Sequence, residues 1–128
     1  MVEVKNPIQE AKAHPEKEYV TLWRTNLAYF WVIHQEPNIQ DDMHYHENDD
    51  HIFTVLQGEC TIRTPRGEFV MHLLDTILLE SGEVYQVCNT GTETLILLGA
   101  GNGPIEGKTR TRVPRLASHL PVSVPIPA

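Results

Sequence analysis

Short runs of apolar and β-branched residues, each broken by turn chemistry, fill the chain between positions 19 and 100. The runs cover residues 19–24, 27–35, 51–57, 60–64, 68–73, 76–80, 85–89 and 94–100. Between them stand Gln57-Gly58-Glu59, Thr64-Pro65-Arg66-Gly67, Ser81-Gly82-Glu83 and Asn89-Thr90-Gly91. Pro and Gly at these points supply the dihedrals that tight turns need. Many short strands at close spacing predict an all-β sandwich or barrel. No segment sustains a helical period, and the polar stretch 7–18 predicts one irregular helical turn at most.

The pattern stops at Asn102. Beyond it come Gly103, Pro104, Gly107, Pro114, Pro121, Pro125 and Pro127. Proline at that spacing excludes a helix or a central strand over residues 120–128. The organisation expected is an N-terminal segment over 1–18, one barrel over 19–101, and a Pro-rich arm over 102–128. The arm is expected to lie extended across the barrel or a neighbouring subunit, or to be mobile.

Composition narrows the class. A chain of 128 residues fits one domain, and 41% hydrophobic with 21% charged residues describes a globular protein. The formal net charge is −7 and no Lys/Arg cluster stands out, which argues against nucleic acid and anionic membranes as partners. Cys60 and Cys88 form no CxxC pair and are too few for a disulfide framework. They read as buried thiols. The N-terminus lacks a charged start followed by an apolar stretch, and runs such as 29–33 and 95–98 are too short to span a bilayer. A cytoplasmic location is the default expectation. Aromatic and β-branched residues fill both parities of 29–33 and 52–56, so both faces of the sheet look covered. That predicts a homodimer through the N-terminal strands or the arm.

The chemistry concentrates in Asp42-Met43-His44-Tyr45-His46-Glu47-Asn48-Asp49-Asp50-His51-Ile52-Phe53. Alternate residues of a strand share a face, so His44 and His46 point the same way. His51 has the parity of Phe53 and Val55 and points inward with them. A buried histidine is costly unless it is hydrogen-bonded or ligating, and three converging imidazoles read most simply as a metal site. In the alternative set, Asp50 or Asp49 bends inward and gives two histidines with one carboxylate, which favours non-haem iron. Strand parity favours His51. His34 and His72 read as strand histidines, and His14 and His119 as surface residues. Trp23, Tyr29, Phe30 and Trp31 read as core or interface. No Ser-His-Asp order, P-loop or dinucleotide fingerprint occurs.

This stretch resembles the first motif of the cupin superfamily, which runs Gly, five residues, His-x-His, three or four residues, Glu, six residues, Gly. The chain has His44-x-His46, four residues, His51, six residues, Gly58. The second motif runs Gly, five residues, Pro-x-Gly, two residues, His, three residues, Asn. The chain has Leu74, five residues, Glu80-Ser81-Gly82, two residues, Tyr85, three residues, Asn89. Asn38 stands for the first Gly, His51 for the metal-binding Glu, and Tyr85 for the last metal-binding His. The resemblance implies a single-domain cupin-type jelly-roll barrel. It carries His44 and His46 over as ligands of one divalent transition ion (Fe, Zn, Ni, Mn or Cu), with His51 as a replacement ligand. Tyr85 is either a phenolate ligand or, preferred, a hydroxyl that holds bound water or substrate and serves catalysis. Three neutral imidazoles would leave the ion its full charge and strengthen it as a Lewis acid. The implied function is a metal-dependent enzyme acting on a small organic molecule, of dioxygenase type. A Lewis-acid isomerase, cyclase or lyase is one alternative, and a non-catalytic small-molecule-binding cupin is the other.

Overall fold

The computed structural model describes residues 2–103 and 110–112. One short helix, α1 (Pro7–Ala13), precedes ten strands: β1 (Tyr19–Arg24), β2 (Tyr29–Gln35), β3 (His44–His46), β4 (His51–Gln57), β5 (Cys60–Thr64), β6 (Gly67–Met71), β7 (Thr76–Leu79), β8 (Gln86–Cys88), β9 (Leu95–Gly101) and β10 (Arg110–Arg112). All pairings between them are antiparallel. One sheet has the order β1-β2-β9-β4-β7. Facing it are the β6-β5-β8 sheet and the β10-β3 pair. These last two are joined by bridges from Gln40 to Cys88 and from His44 to Tyr85.

Period-two alternation decides which residues fill the barrel. Phe53, Val55, Cys60, Ile62, Val87, Leu95 and Leu97 are buried in one cluster between the sheets. Each such side chain contributes roughly 1.5–3 kcal/mol by leaving water. The outer face of β1, β2 and β9 is also apolar, with Leu22, Val32 and Ile96 buried beneath Ala11 of α1. Residues 7–13 of the 7–18 stretch therefore form a true helix where only an irregular turn was expected. Its start is local: Asn6 caps it by accepting from the Gln9 amide at 3.1 Å, and Pro7 stands in the first turn. Its persistence is tertiary, since seven residues are too few to hold a helix alone.

Two positions where the chain departs from the cupin glycines keep the glycine backbone. Asn38 has φ 67° and Leu74 has φ 68°. Asparagine adopts this left-handed conformation readily, whereas for leucine it costs roughly 1–2 kcal/mol. Asn89 is buried and closes its turn by donating to Gln35 O and Glu93 O and accepting from the Gly91 amide. The expected arm contributes β10, which pairs with β3 through Arg110–His46, Thr111–Tyr45 and Arg112–His44. The rest of it, residues 104–109 and 113–128 with His119, lies outside the described residues.

Candidate metal centre

The two sheets bring the histidines together from opposite sides. His44 and His46 are alternate residues of β3, and His51 opens β4. The ring centroids of His44 and His46 are 5.0 Å apart, and those of His46 and His51 are 4.1 Å apart. His44 and His51 are each 3% exposed, so both need polar partners inside the barrel.

Those partners define a network. His51 Nδ1 lies 2.9 Å from the Tyr85 hydroxyl, and His51 Nε2 lies 2.9 Å from Asp49 Oδ2 and 3.0 Å from the Tyr29 hydroxyl. Tyr29 also donates to Asp49 Oδ2. Asp49 Oδ1 accepts from the amides of Asn102 and Gly103 at 3.1 and 2.8 Å. A carboxylate only accepts, so in this arrangement His51 Nε2 donates to Asp49 and Tyr85 donates to Nδ1; as a ligand His51 would instead offer the Nε2 lone pair and donate Nδ1–H to the Tyr85 hydroxyl. His44 Nδ1 lies 2.6 Å from Asp42 O. A carbonyl also only accepts, which puts the His44 proton on Nδ1 and its lone pair on Nε2. Ligating histidines are commonly held by this kind of backbone contact.

Burial opposes ionisation of Asp49. Hydrogen bonds from His51, Tyr29 and the Gly103 amide outweigh it and hold the carboxyl well below the usual range. Burial, with the Asp49 contact, pushes the Tyr29 hydroxyl well above its usual range.

His46, Asp49 and His51 form a group whose ligand atoms all lie within 4.8 Å of one another. Two imidazoles and a carboxylate at that spacing suit a first-row divalent ion, so the donor set fits a metal. His44 stands beside this group, with its ring centroid 4.4 Å from that of Tyr85. Asp50, the other acid in the loop, is engaged elsewhere, accepting from the Ser81 amide and from Asn102 Nδ2. His34 Nε2 lies 3.6 Å from exposed Glu36, and exposed His72 lies near Glu59 and Asp75. Neither lines the cavity.

The site opens into a cavity of about 210 Å³ walled by Tyr19, Tyr29, Trp31, Ile33, Phe53 and Tyr85, with His44, His46 and His51 at one side. Small residues on β9 make room for the rings. Trp31 and Tyr29 pair in register with Gly99 and Gly101. A Cβ on Gly99 would come 2.6 Å from the Trp31 ring, and one on Gly101 would come 2.5 Å from the Tyr29 ring. The indole thus lies over bare backbone, 4.9 Å from the His51 ring centroid.

Sequence reasoning undervalued Asp49, Tyr29 and Trp31. Asp49 had a usable signal, because it stands two residues before His51 and shares its face. Tyr29 and Trp31 carried a weaker one: their parity matches Ile33, but only the barrel's closure reveals which face meets the histidines.

The family model described as a cupin domain matches residues 31–100. No curated protein matches the chain. Among solved structures, an uncharacterized conserved protein with a double-stranded beta-helix domain from Klebsiella pneumoniae is 21% identical, with a TM-score of 0.65 over 75% of this chain and 86% of its own. A Thermus thermophilus protein is 20% identical, with a TM-score of 0.69 over 80% of this chain and 98% of its own. A predicted oxalate decarboxylase from Thermotoga maritima is 24% identical, with a TM-score of 0.62 over 66% of this chain and 77% of its own. At these identities the likeness concerns the fold. Among the described residues no helix is long and apolar enough to cross a membrane.

Proposed function

This chain belongs to the cupin domain family, and from that premise we propose that it holds one divalent transition-metal ion and acts on a small organic molecule. The observation that carries the reading is the spacing of His46, Asp49 and His51, all within 4.8 Å at their ligand atoms. His46 and His51 belong to both readings that follow, whereas the set of His44 and His46 with a carboxylate in place of His51 has less support, because His51 lies within ligand distance of His46. The preferred third ligand is His44, whose Nδ1 contact with Asp42 O leaves Nε2 as the ligating nitrogen. A second reading replaces His44 with Asp49, on the strength of the same spacing.

The bound ion would supply Lewis acidity or, if it is iron, redox chemistry with oxygen. The chain's own groups do the rest. Tyr85, 2.9 Å from His51 Nδ1, orients that imidazole and is the hydroxyl available to hold or pass a proton. The aromatic walls give the cavity a largely apolar lining around the histidines. A dioxygenase-type oxidoreductase is the preferred activity, with a Lewis-acid isomerase, cyclase or lyase as the rival. We read the protein as cytoplasmic and as a homodimer. An outer row of the five-stranded sheet supports the dimer: Phe30, Ile52 and Leu78 are paired in register through Ala100, and all are exposed.

Elemental analysis of tag-free protein and of its Ala variants tests the site. His46→Ala and His51→Ala should empty it. Loss with His44→Ala and retention with Asp49→Ala supports the three-histidine set, and the opposite pattern supports the carboxylate set. Light scattering at micromolar concentration checks the dimer, and a monomer mass would overturn it.

A further inference from the structure

We propose that Arg24 is the anion anchor of the cavity and that the ligand taken there is a small planar organic carboxylate. The inference deepens the function proposed above. It rests on that reading only for the direction in which the ligand's reacting end points, toward the histidines.

The first observation is a β-bulge. Tyr19 and Thr21 pair with Ile33 and Trp31 on the cavity face of β1. Simple alternation would next send Trp23 inward and Arg24 outward. The register slips between Thr21 and Trp23, so that Trp23 pairs with Phe30 and Arg24 with Tyr29. Leu22 and Trp23 then both pack on the outer face against the α1 cluster, and Arg24 enters the cavity lining. A bulge re-aims a side chain and recurs beside functional sites. Here its effect is to exchange a tryptophan for a guanidinium at the cavity.

The second observation is charge. Among the described residues Arg24 is the one Lys or Arg lining the cavity. Among the described residues it makes no ion pair. Asp41, the one acid in the lining among the described residues, accepts from the Val87 amide at 2.7 Å. The Arg24 guanidinium instead stacks on the Tyr29 ring, 4.9 Å from its centroid. A stacked guanidinium keeps its N–H edge for a bidentate acceptor, which is the geometry a carboxylate matches.

The third observation is shape. The Tyr29 and Trp31 rings stack on each other at 5.0 Å and 22°, with Arg24 over Tyr29 and Trp31 meeting His51 edge-on, so a row of planar groups runs along the cavity from Arg24 to His51. A cavity of about 210 Å³ lies below the usual range for drug-sized ligands. It suits one planar ring or conjugated chain with an acid group at its end.

Benzoate binding, measured by calorimetry on zinc-loaded and on metal-free protein, tests the assignment. Benzamide serves as the uncharged isostere, cyclohexanecarboxylate as the non-planar acid and phenylphosphate as the other oxyanion. Benzoate should bind with a dissociation constant of about 10 mM or tighter. It should bind at least tenfold more tightly than benzamide and more tightly than either of the other two. Arg24→Gln should weaken benzoate at least tenfold and leave benzamide unchanged, and Arg24→Lys should recover part of the loss. Arg24 is exposed at a strand end, and an unchanged unfolding midpoint for both variants checks that they fold.

The proposal is overturned if benzoate does not bind, if benzamide binds equally well, or if Arg24→Gln and Arg24→Lys both leave benzoate affinity unchanged. Tighter binding of phenylphosphate through Arg24 overturns the carboxylate assignment. Arg24-dependent binding to a protein that takes up no metal would sink the metal reading and leave this one standing. Metal-dependent binding indifferent to Arg24 does the reverse.

Discussion

Phe53 and His51 are two residues apart on β4, almost equally buried at 1% and 3% exposure, and are held in different ways. Phe53 sits among Val55, Ile62, Leu95 and Leu97, where contact and loss of water do the work. His51 is held by three directed contacts, from Asp49, Tyr29 and Tyr85. The apolar half of the barrel holds the sheets together, and the polar half is assembled on it. Each polar group there depends on a specific partner, so its substitutions should alter chemistry more than folding.

The largest expected contrast is in stability. Phe53→Ala should cost about 3–5 kcal/mol, since it removes a buried ring that packs into the core cluster on one side and walls the cavity on the other. Tyr85→Phe removes one hydroxyl and keeps the ring, and should cost about 1 kcal/mol. Urea unfolding of the two variants measures the difference, and equal losses would erase the distinction between the halves. The same Tyr85→Phe protein should keep its metal while any activity changes.

The halves should also carry opposite pH signatures. In the apolar half, burial pushes the Cys60 thiol up to about 12; burial likewise raises Cys88, which lies outside that cluster beside Gln40, to about 11. Unfolded thiols ionise near pH 8.5. These groups therefore contribute stability below that pH and lose it as pH rises toward 11–12. In the polar half, Asp49 is depressed despite its burial. It contributes stability above the ordinary carboxylate range near 3.9 and loses it as pH falls further. Unfolding free energies across pH should fall on both limbs, with Asp49→Asn flattening the acid limb alone. An acid limb unchanged by Asp49→Asn would remove Asp49 from the network's energetics.

The smallest effect concerns a loop that serves neither half. Leu74 is left-handed and 70% exposed. Leu74→Gly should raise the unfolding free energy by about 0.5–1 kcal/mol, the strain relieved less the chain entropy that glycine adds. A loss of stability would show that the leucine side chain contributes contacts that outweigh its backbone.

Much of the fold was legible because period-two patterning and turn residues are local. β1, β4 and β5 lie where the sequence pattern ends and begins, at 19–24, 51–57 and 60–64. Helix α1 was missed because its stability comes from Val32 and Ile96, far away in sequence. In the site, parity sufficed for His51 and its inward neighbours. It failed where the ladder is irregular. The slip after Thr21 reverses the facing of Trp23 and Arg24, and no pattern in residues 19–24 announces it. Strand β10 was invisible for a related reason, since Arg-Thr-Arg has no apolar alternation and forms by pairing with β3.

The polar half is proposed to be built around a metal held by His46 and His51. Calorimetric titration of tag-free, metal-stripped protein with zinc and with ferrous iron, repeated on His51→Ala and Asp50→Ala, tests it most directly. One ion should bind the wild type and Asp50→Ala, with affinity that weakens as acid protonates the imidazoles, and none should bind His51→Ala. Full binding in His51→Ala, or none in the wild type, would contradict it.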